Sequence, residues 1–268
     1  MDYDPIKRSL GVFFDKTPLL RKLFYRLLDV LLLRTWHVHK ALRRLRRELP
    51  AGARILDAGS GFGQYDYYLA RRWPRSEIDA VDVKEEQIAD CTRFFARAGF
   101  SKVHFSVADL TQYMCPDRYG LVLSVDVMEH ILDDAAVFSN FCRSLVPGGV
   151  LLLSTPSDLS EEEEHGDTPE SFIGEHVRVG YPVQEMREKL QNAGFSDIRV
   201  RYTYGAVGQL AWRLSMKYPV SMLGRSRWFF LLLPFYYMVV FPFCLLLNWA
   251  DLHFSHKSGT GLIVEARR

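Results

Sequence analysis

The sequence predicts an α/β fold: a seven-stranded, mostly parallel sheet with helices on both faces, a helical extension at the N-terminal end and a hydrophobic helical insertion before the last strand. Three observations predict it. From residue 53 onward, short β-rich runs alternate with helical stretches, the pattern of βαβ units. The first of those runs turns through closely spaced glycines into a helix. Some fifty residues then stand between the last two strands, where a plain α/β domain needs only a hairpin.

The strands read at 53–58, 77–81, 102–107, 120–125, 149–154, 197–203 and 260–265. Helical stretches fill the first four gaps, and residues 182–193 form another helix that stops before Gly194. This divides the chain into a basic amphipathic extension (1–50), a central domain (51–205 with 258–268) and an insertion (206–257). The loop 155–181 is unusually long and, with the insertion, is expected on the substrate side.

An apolar share of 48% in 268 residues excludes a disordered chain. Cys91, Cys115, Cys142 and Cys244 lie far apart with no ligand spacing, so neither a zinc site nor a disulfide framework is expected, and a reducing, cytosolic setting is. The first residues lack a basic stretch followed by an apolar one, so no secretory signal is read there. The glutamates 161–164 read as a solvated loop.

Charge is unevenly placed. Residues 1–50 hold twelve Lys/Arg against five Asp/Glu, while the chain as a whole is only +2. That end predicts an anionic partner. Leu20, Leu23, Phe24, Leu27, Leu28 and Leu31 recur at helical spacing over 19–33, with Arg21, Lys22 and Arg26 largely elsewhere on the helix, and a second basic helix covers about 36–48. Basic residues mixed with Leu and Phe suit a lipid surface better than nucleic acid. In the insertion, residues 228–247 are twenty uncharged, largely apolar positions. Because the strands before and after must pair, the chain has to return to the side it left. Residues 209–223 read as too short and too polar to span a bilayer, and Pro234 and Pro242 favour a kink or break. The expectation is a monotopic or re-entrant insertion flanked by Arg225, Arg227, Trp228 and Trp249, at the cytoplasmic face of a membrane. The other reading is a buried core or dimer-interface hairpin.

The chemistry starts at Ile55-Leu56-Asp57-Ala58-Gly59-Ser60-Gly61-Phe62-Gly63-Gln64-Tyr65. Glycines there let the chain turn tightly and a ligand approach the backbone, while the next helix offers free N–H groups. Asp82 ends the second strand, where a carboxylate can accept bonds from both ribose hydroxyls, and Asp109 follows the third at the same sheet edge.

These residues resemble the class I S-adenosylmethionine-dependent methyltransferases, whose fold is Rossmann-like, and among them the small-molecule enzymes of quinone and lipid biosynthesis. The resemblance implies that Gly59, Gly61 and Gly63 line the methionine part of S-adenosyl-L-methionine, that Asp57 orients the loop or the methionine ammonium, and that Asp82 binds ribose and Asp109 adenine. Asp126, just past the fourth strand, joins the cofactor set. A dinucleotide is the competing cofactor, but the spacing is GxGxG rather than GxGxxG. Ser124-Val125-Asp126-Val127-Met128-Glu129-His130 and Leu145-Val146-Pro147-Gly148-Gly149-Val150 are also similar to methyltransferase segments around the fourth and fifth strands.

His130 and His176 are the candidate bases for an acceptor that must lose a proton, with Arg178 expected to pair with a carboxylate. The run Asp126-x-x-Glu129-His130 resembles one in quinone-biosynthesis O-methyltransferases where magnesium or manganese holds the acceptor, but Asp stands in the place of the usual Glu, and no metal is expected to be required. The function implied is methyl transfer to a hydrophobic or lipid-like small molecule at a membrane surface, with membrane lipid as a partner and O-methylation of a quinone or isoprenoid precursor favoured. The alternatives are a membrane-anchored, cofactor-binding scaffold without turnover and a nucleic-acid methyltransferase. Against the last, no Asn/Asp-Pro-Pro-Tyr run follows the fourth strand.

Overall fold

The computed structural model describes residues 17–160, 177–226 and 229–268. Among these, seven strands form one sheet in the order β3-β2-β1-β4-β5-β7-β6. The strands are β1 (Ile55–Ala58), β2 (Ile78–Asp82), β3 (Val103–Val107), β4 (Tyr119–Val125), β5 (Leu145–Pro156), β6 (Ser196–Thr203) and β7 (Gly261–Arg267). The first five run parallel, and β7 lies antiparallel between β5 and β6. Parallel strands covered on both faces read as continuous apolar runs, and β1 and β4 are accordingly buried along almost all their length.

Alternate strand residues feed two cores. Leu56, Val122, Leu151, Leu153 and Val264 pack under α5 (Asp134–Ser144) and α6 (Val183–Asn192). Ile55, Leu121, Leu123, Val150 and Ile263 pack with α3 (Gln64–Arg72), α4 (Glu85–Arg97) and the N-terminal helices α1 (Pro18–Leu31) and α2 (Leu33–Glu48). Helix α1 starts on Thr17, whose hydroxyl accepts the Leu20 N–H, with Pro18 in the first turn. Leu32, in extended backbone, separates it from α2. Val38, Leu42 and Leu45 of α2 are fully buried. Helix α1 presents a different face: Arg21 and Tyr25 are its buried side chains, while Leu19, Leu23, Leu27 and Val30 stand exposed.

The insertion is a helical hairpin rooted where Thr203 of β6 pairs with Gly261 of β7. Its first arm is helical from Ala206 to Arg225: α7 (Ala206–Trp212), one π-helical stretch (Arg213–Lys217) and α8 (Tyr218–Arg225). This arm extends beyond the stretch 209–223 at both ends. The second arm, α9 (Phe229–His253), is one helix of 25 residues. Of the kink or break expected at Pro234 and Pro242, a break is absent: the helix runs through both positions, each of which removes a single ladder bond. The arms are stitched by Tyr236 and Tyr237, whose hydroxyls donate to the carbonyls of Leu214 (2.7 Å) and Ser215 (2.8 Å) in the π stretch.

The root of the hairpin is polar and tight. Asp251, fully buried, accepts from the Gly208 N–H (3.1 Å) and faces His37 of α2 (2.9 Å) and His256 (3.2 Å). Beyond the root α9 is bare: Phe230, Leu231, Leu232, Phe235, Met238, Val239, Phe243 and Leu246 are all more than half exposed. Only Cys244, Asn248, Asp251 and Leu252 of α9 are buried, which excludes a helix enclosed in this chain's own core. Trp249 is exposed near the root, whereas Arg227, Trp228 and the side chain of Arg225 lie outside what is described.

Candidate cofactor and acceptor site

The C-terminal ends of β1, β2, β3 and β4 lie side by side, with the strand order turning about β1 and β4, the place where open α/β sheets bind ligands. The glycine loop leaves β1 with Gly59 and Ser60 donating to the Val81 carbonyl (2.8 and 3.0 Å). Gly59, Gly61 and Gly63 all have positive φ, at 85°, 53° and 79°. A side chain at Gly59 would strike Val127, and one at Gly63 would press on Phe95. At Gly61 nothing lies within 4 Å, so its open backbone faces the crevice.

Asp82 holds this loop in place before any ligand does. Its Oδ2 accepts the Gly61 N–H (2.9 Å) and its Oδ1 the Lys84 N–H (3.0 Å). Each oxygen keeps a lone pair for a hydroxyl. Asp109 is exposed, with Oδ1 taking the Thr111 N–H and hydroxyl (2.9 and 2.8 Å). Val83 and Val107, both about half exposed or more, add apolar surface between these carboxylates that a flat ring would cover.

Asp57 is buried below the loop and meets Asp66 of α3. Burial pushes Asp57 up to about 7, and Asp66 lies well above the carboxylate range because of burial and the neighbouring Asp57. Apart from the hydrogen bond the two carboxyls share, Oδ2 of Asp57 and both carboxylate oxygens of Asp66 have no donor among the described residues. An ammonium group supplies what they lack, so the acidic pair, the open Gly61 backbone and Asp82 fit an amino-acid-bearing nucleoside. A ligand ammonium placed here stabilises ionised Asp57 and lowers its pKa. Binding of S-adenosylhomocysteine, which carries that ammonium, is therefore expected to release close to one proton at pH 6, fading above about pH 8 where Asp57 is already ionised. Calorimetry in buffers of different ionisation enthalpy measures it, and Asp57→Asn should remove it.

Asp126 sits past β4 at φ 53° and is ion-paired to Arg34 in the first turn of α2. Arg34 also donates its backbone N–H to the Tyr204 hydroxyl (3.0 Å), and Thr35 meets the Tyr65 hydroxyl at 3.4 Å. Thus α2 roofs the crevice. The sequence misses Arg34, Tyr65 and Tyr204 as site residues, since Arg34 and Tyr204 are 170 positions apart and the one available signal was the tyrosine following Gly63-Gln64.

Met128–His130 form a short 3₁₀ turn. Glu129 points inward, its carboxylate accepting from the Thr155 hydroxyl (3.1 Å) and raised by burial. Asp126, Glu129 and His130 are thus not gathered into a ligand set, and among the described residues no group of three or more His, Cys, Asp or Glu could hold a metal. His130 is partly exposed beside the crevice. His176 lies outside the described residues, but Val177 and Arg178 donate their N–H groups to the Glu129 carbonyl (3.0 and 3.3 Å). Arg178 does pair with a carboxylate, that of Asp134, which also takes Tyr181 (2.8 Å) and Lys189 (2.8 Å). The loop's return is thereby anchored beside the turn that carries Glu129 and His130.

Residues 55–149, about a third of the chain, match the family model described as a methyltransferase domain. Its relatives include enzymes named for small-molecule acceptors. Phosphoethanolamine N-methyltransferase 1 of Arabidopsis thaliana is 30% identical over 159 residues, which are 57% of this chain and 30% of that protein. The match therefore spans about a third of that relative's length. Among solved structures, phosphoethanolamine N-methyltransferase 2 of Haemonchus contortus in complex with S-adenosyl-L-methionine is similar with a TM-score of 0.58 and 22% identity, over 86% of this chain and 52% of that one. A putative sarcosine dimethylglycine methyltransferase from Galdieria sulphuraria gives 0.60 and 19%, over 87% and 83%. These two likenesses establish the fold.

Proposed function

We propose that this protein is an S-adenosyl-L-methionine-dependent methyltransferase that acts on a small, amphiphilic acceptor at the cytoplasmic face of a membrane. The observation that carries the reading is the joint between crevice and hairpin. Helix α2 closes on Asp126 with Arg34 at its start, and one turn later holds the hairpin root through His37 and Asp251. An arm with a broad exposed apolar face thus springs from the same helix that closes on the crevice. Exposed apolar surface on this scale marks contact with lipid or protein. The hairpin's equal-sided return to the sheet suits entry into a membrane from one side.

S-adenosyl-L-methionine supplies an electrophilic methyl on a sulfonium, so the chain's residues have to position and shield more than activate. Asp57, Gly61, Asp82 and Asp109 would hold the cofactor. An O–H or N–H acceptor would give its proton to His130, with His176 as the second candidate. A quinone or isoprenoid precursor or a phospholipid-like molecule fits the apolar approach. The names of the relatives add phosphorylated amines to the acceptors worth assaying. An intact glycine and carboxylate set speaks against a scaffold without turnover.

The test is incubation of the membrane-reconstituted chain with methyl-labelled cofactor and a total lipid extract, followed by mass spectrometry. Label in an extractable amphiphile supports the reading; label confined to protein or nucleic acid contradicts it. His130→Ala should lower turnover by about 10²–10⁴-fold with cofactor affinity unchanged. Activity should survive chelation, because Asp126 and Glu129 are engaged elsewhere.

A further inference from the structure

Helix α1 has an inner face that grips the glycine loop. The buried Arg21 guanidinium donates to the Phe62 carbonyl (3.0 Å) and to the Tyr25 hydroxyl (2.7 Å), and pairs with Asp90 of α4. The Tyr25 hydroxyl donates to the same Phe62 carbonyl, and its ring stacks on the Phe62 ring. Phe62 lies between Gly61 and Gly63. One turn further along α1, Asp29 accepts the Gln64 side-chain N–H (2.8 Å). The helix therefore fixes residues 62 to 64, the part of the loop that opens onto the crevice.

Its outer face is apolar. Leu19, Leu23, Leu27 and Val30 are 76%, 58%, 47% and 40% exposed and fall on one stripe at three- and four-residue steps. Arg26 is exposed beside that stripe and Lys22 partly so. A helix with exposed leucines flanked by basic side chains is the kind that lies in a lipid interface. The stripe also leads into the membrane arm. Helix α1 passes through Leu32 into α2, whose Leu33 lies against Gly208 at the hairpin root.

We propose that α1 couples docking on an anionic lipid surface to cofactor binding: its leucine stripe seats in the interface, and Arg21 and Tyr25 then act as positioning residues that hold the glycine loop ready. The coupling rests on the membrane reading given above. A loop already ordered by docking costs the cofactor less to bind, and by linkage the cofactor strengthens docking by the same factor. In the cell such coupling would confine cofactor loading to chain already on the membrane that holds the acceptor.

The full chain is titrated with S-adenosylhomocysteine with and without vesicles of phosphatidylcholine and phosphatidylglycerol, alongside Leu23→Ser/Leu27→Ser and Tyr25→Phe. Vesicles should tighten binding to the wild type by about fivefold or more. The serine variant should match wild type without vesicles, still sediment with them through α9, and gain no affinity. Tyr25→Phe should also sediment, with a reduced gain. Equal affinities with and without vesicles, in a chain that sediments with them, would overturn the coupling and leave the membrane reading standing. A wild type that ignores vesicles overturns both. A serine variant weakened equally in both conditions would make the stripe a structural feature and end the proposal, as would a dimer that buries the stripe.

Discussion

Gly59→Ala is expected to destabilise the protein by roughly 3 kcal/mol or more and to abolish cofactor binding. Two costs add at this position. An alanine must hold a φ of 85°, which an L-residue resists by about 1–2 kcal/mol. Its Cβ would also lie 2.2 Å from Val127 Cγ2, so Val127 and the turn that carries Asp126 must move. Gly61→Ala is the informative comparison. At φ 53° with nothing within 4 Å, it should lose only about 1 kcal/mol of stability yet still fail to bind cofactor, because the methyl group occupies the crevice. Thermal melts and calorimetric titration of the two variants separate loop strain from ligand exclusion. If Gly61→Ala binds normally, the cofactor does not pass over that backbone.

The second large effect is expected on α9. Replacing Leu231, Phe235, Met238 and Leu246 with serine should eliminate sedimentation with liposomes while leaving the melting temperature and cofactor affinity nearly unchanged. All four are about two-thirds exposed or more in the chain, so folding owes them little. In lipid, each would contribute on the order of 1.5–3 kcal/mol, and four together about 6 kcal/mol or more, which is a loss of roughly ten-thousand-fold in partitioning. Point substitution is preferable to removing the whole insertion, because Gly208 and Asp251 at the root support His37 and Leu33 of α2. A wild-type protein that remains soluble without detergent and does not bind liposomes would assign the arm to a protein interface.

The sheet was legible because its strands announce themselves. Buried parallel strands are short unbroken apolar runs, and all seven were placed within a few residues, β5 excepted. That strand begins at Leu145, through Pro147 and two glycines that read as a turn, where the register against β4 shifts. The cofactor half of the site was legible for a similar reason: Gly59, Gly61, Gly63, Asp82 and Asp109 are local features of strand ends, and strand ends share an edge.

What was not legible depends on long-range contact or on which face of a helix turns inward. Arg34 reaches Asp126 from another part of the chain, and no local spacing announces it. In α1 the spacing separates the leucines from the basic residues but does not tell which side packs: Arg21 is 4% exposed and Leu19 76%. The buried guanidinium is tolerable because Asp90, Tyr25 and the Phe62 carbonyl surround it. At its prolines α9 continues as one helix, held to the first arm by Tyr236 and Tyr237.

Calorimetric titration of the purified chain with S-adenosyl-L-methionine, repeated on Asp82→Ala, tests the central claim most directly. The account predicts one site per chain for the wild type. In the variant, affinity should fall by roughly 3 kcal/mol or more, since the ribose loses its acceptor and the Gly61 and Lys84 N–H groups lose theirs. Tight binding of NAD with no binding of S-adenosyl-L-methionine would contradict it.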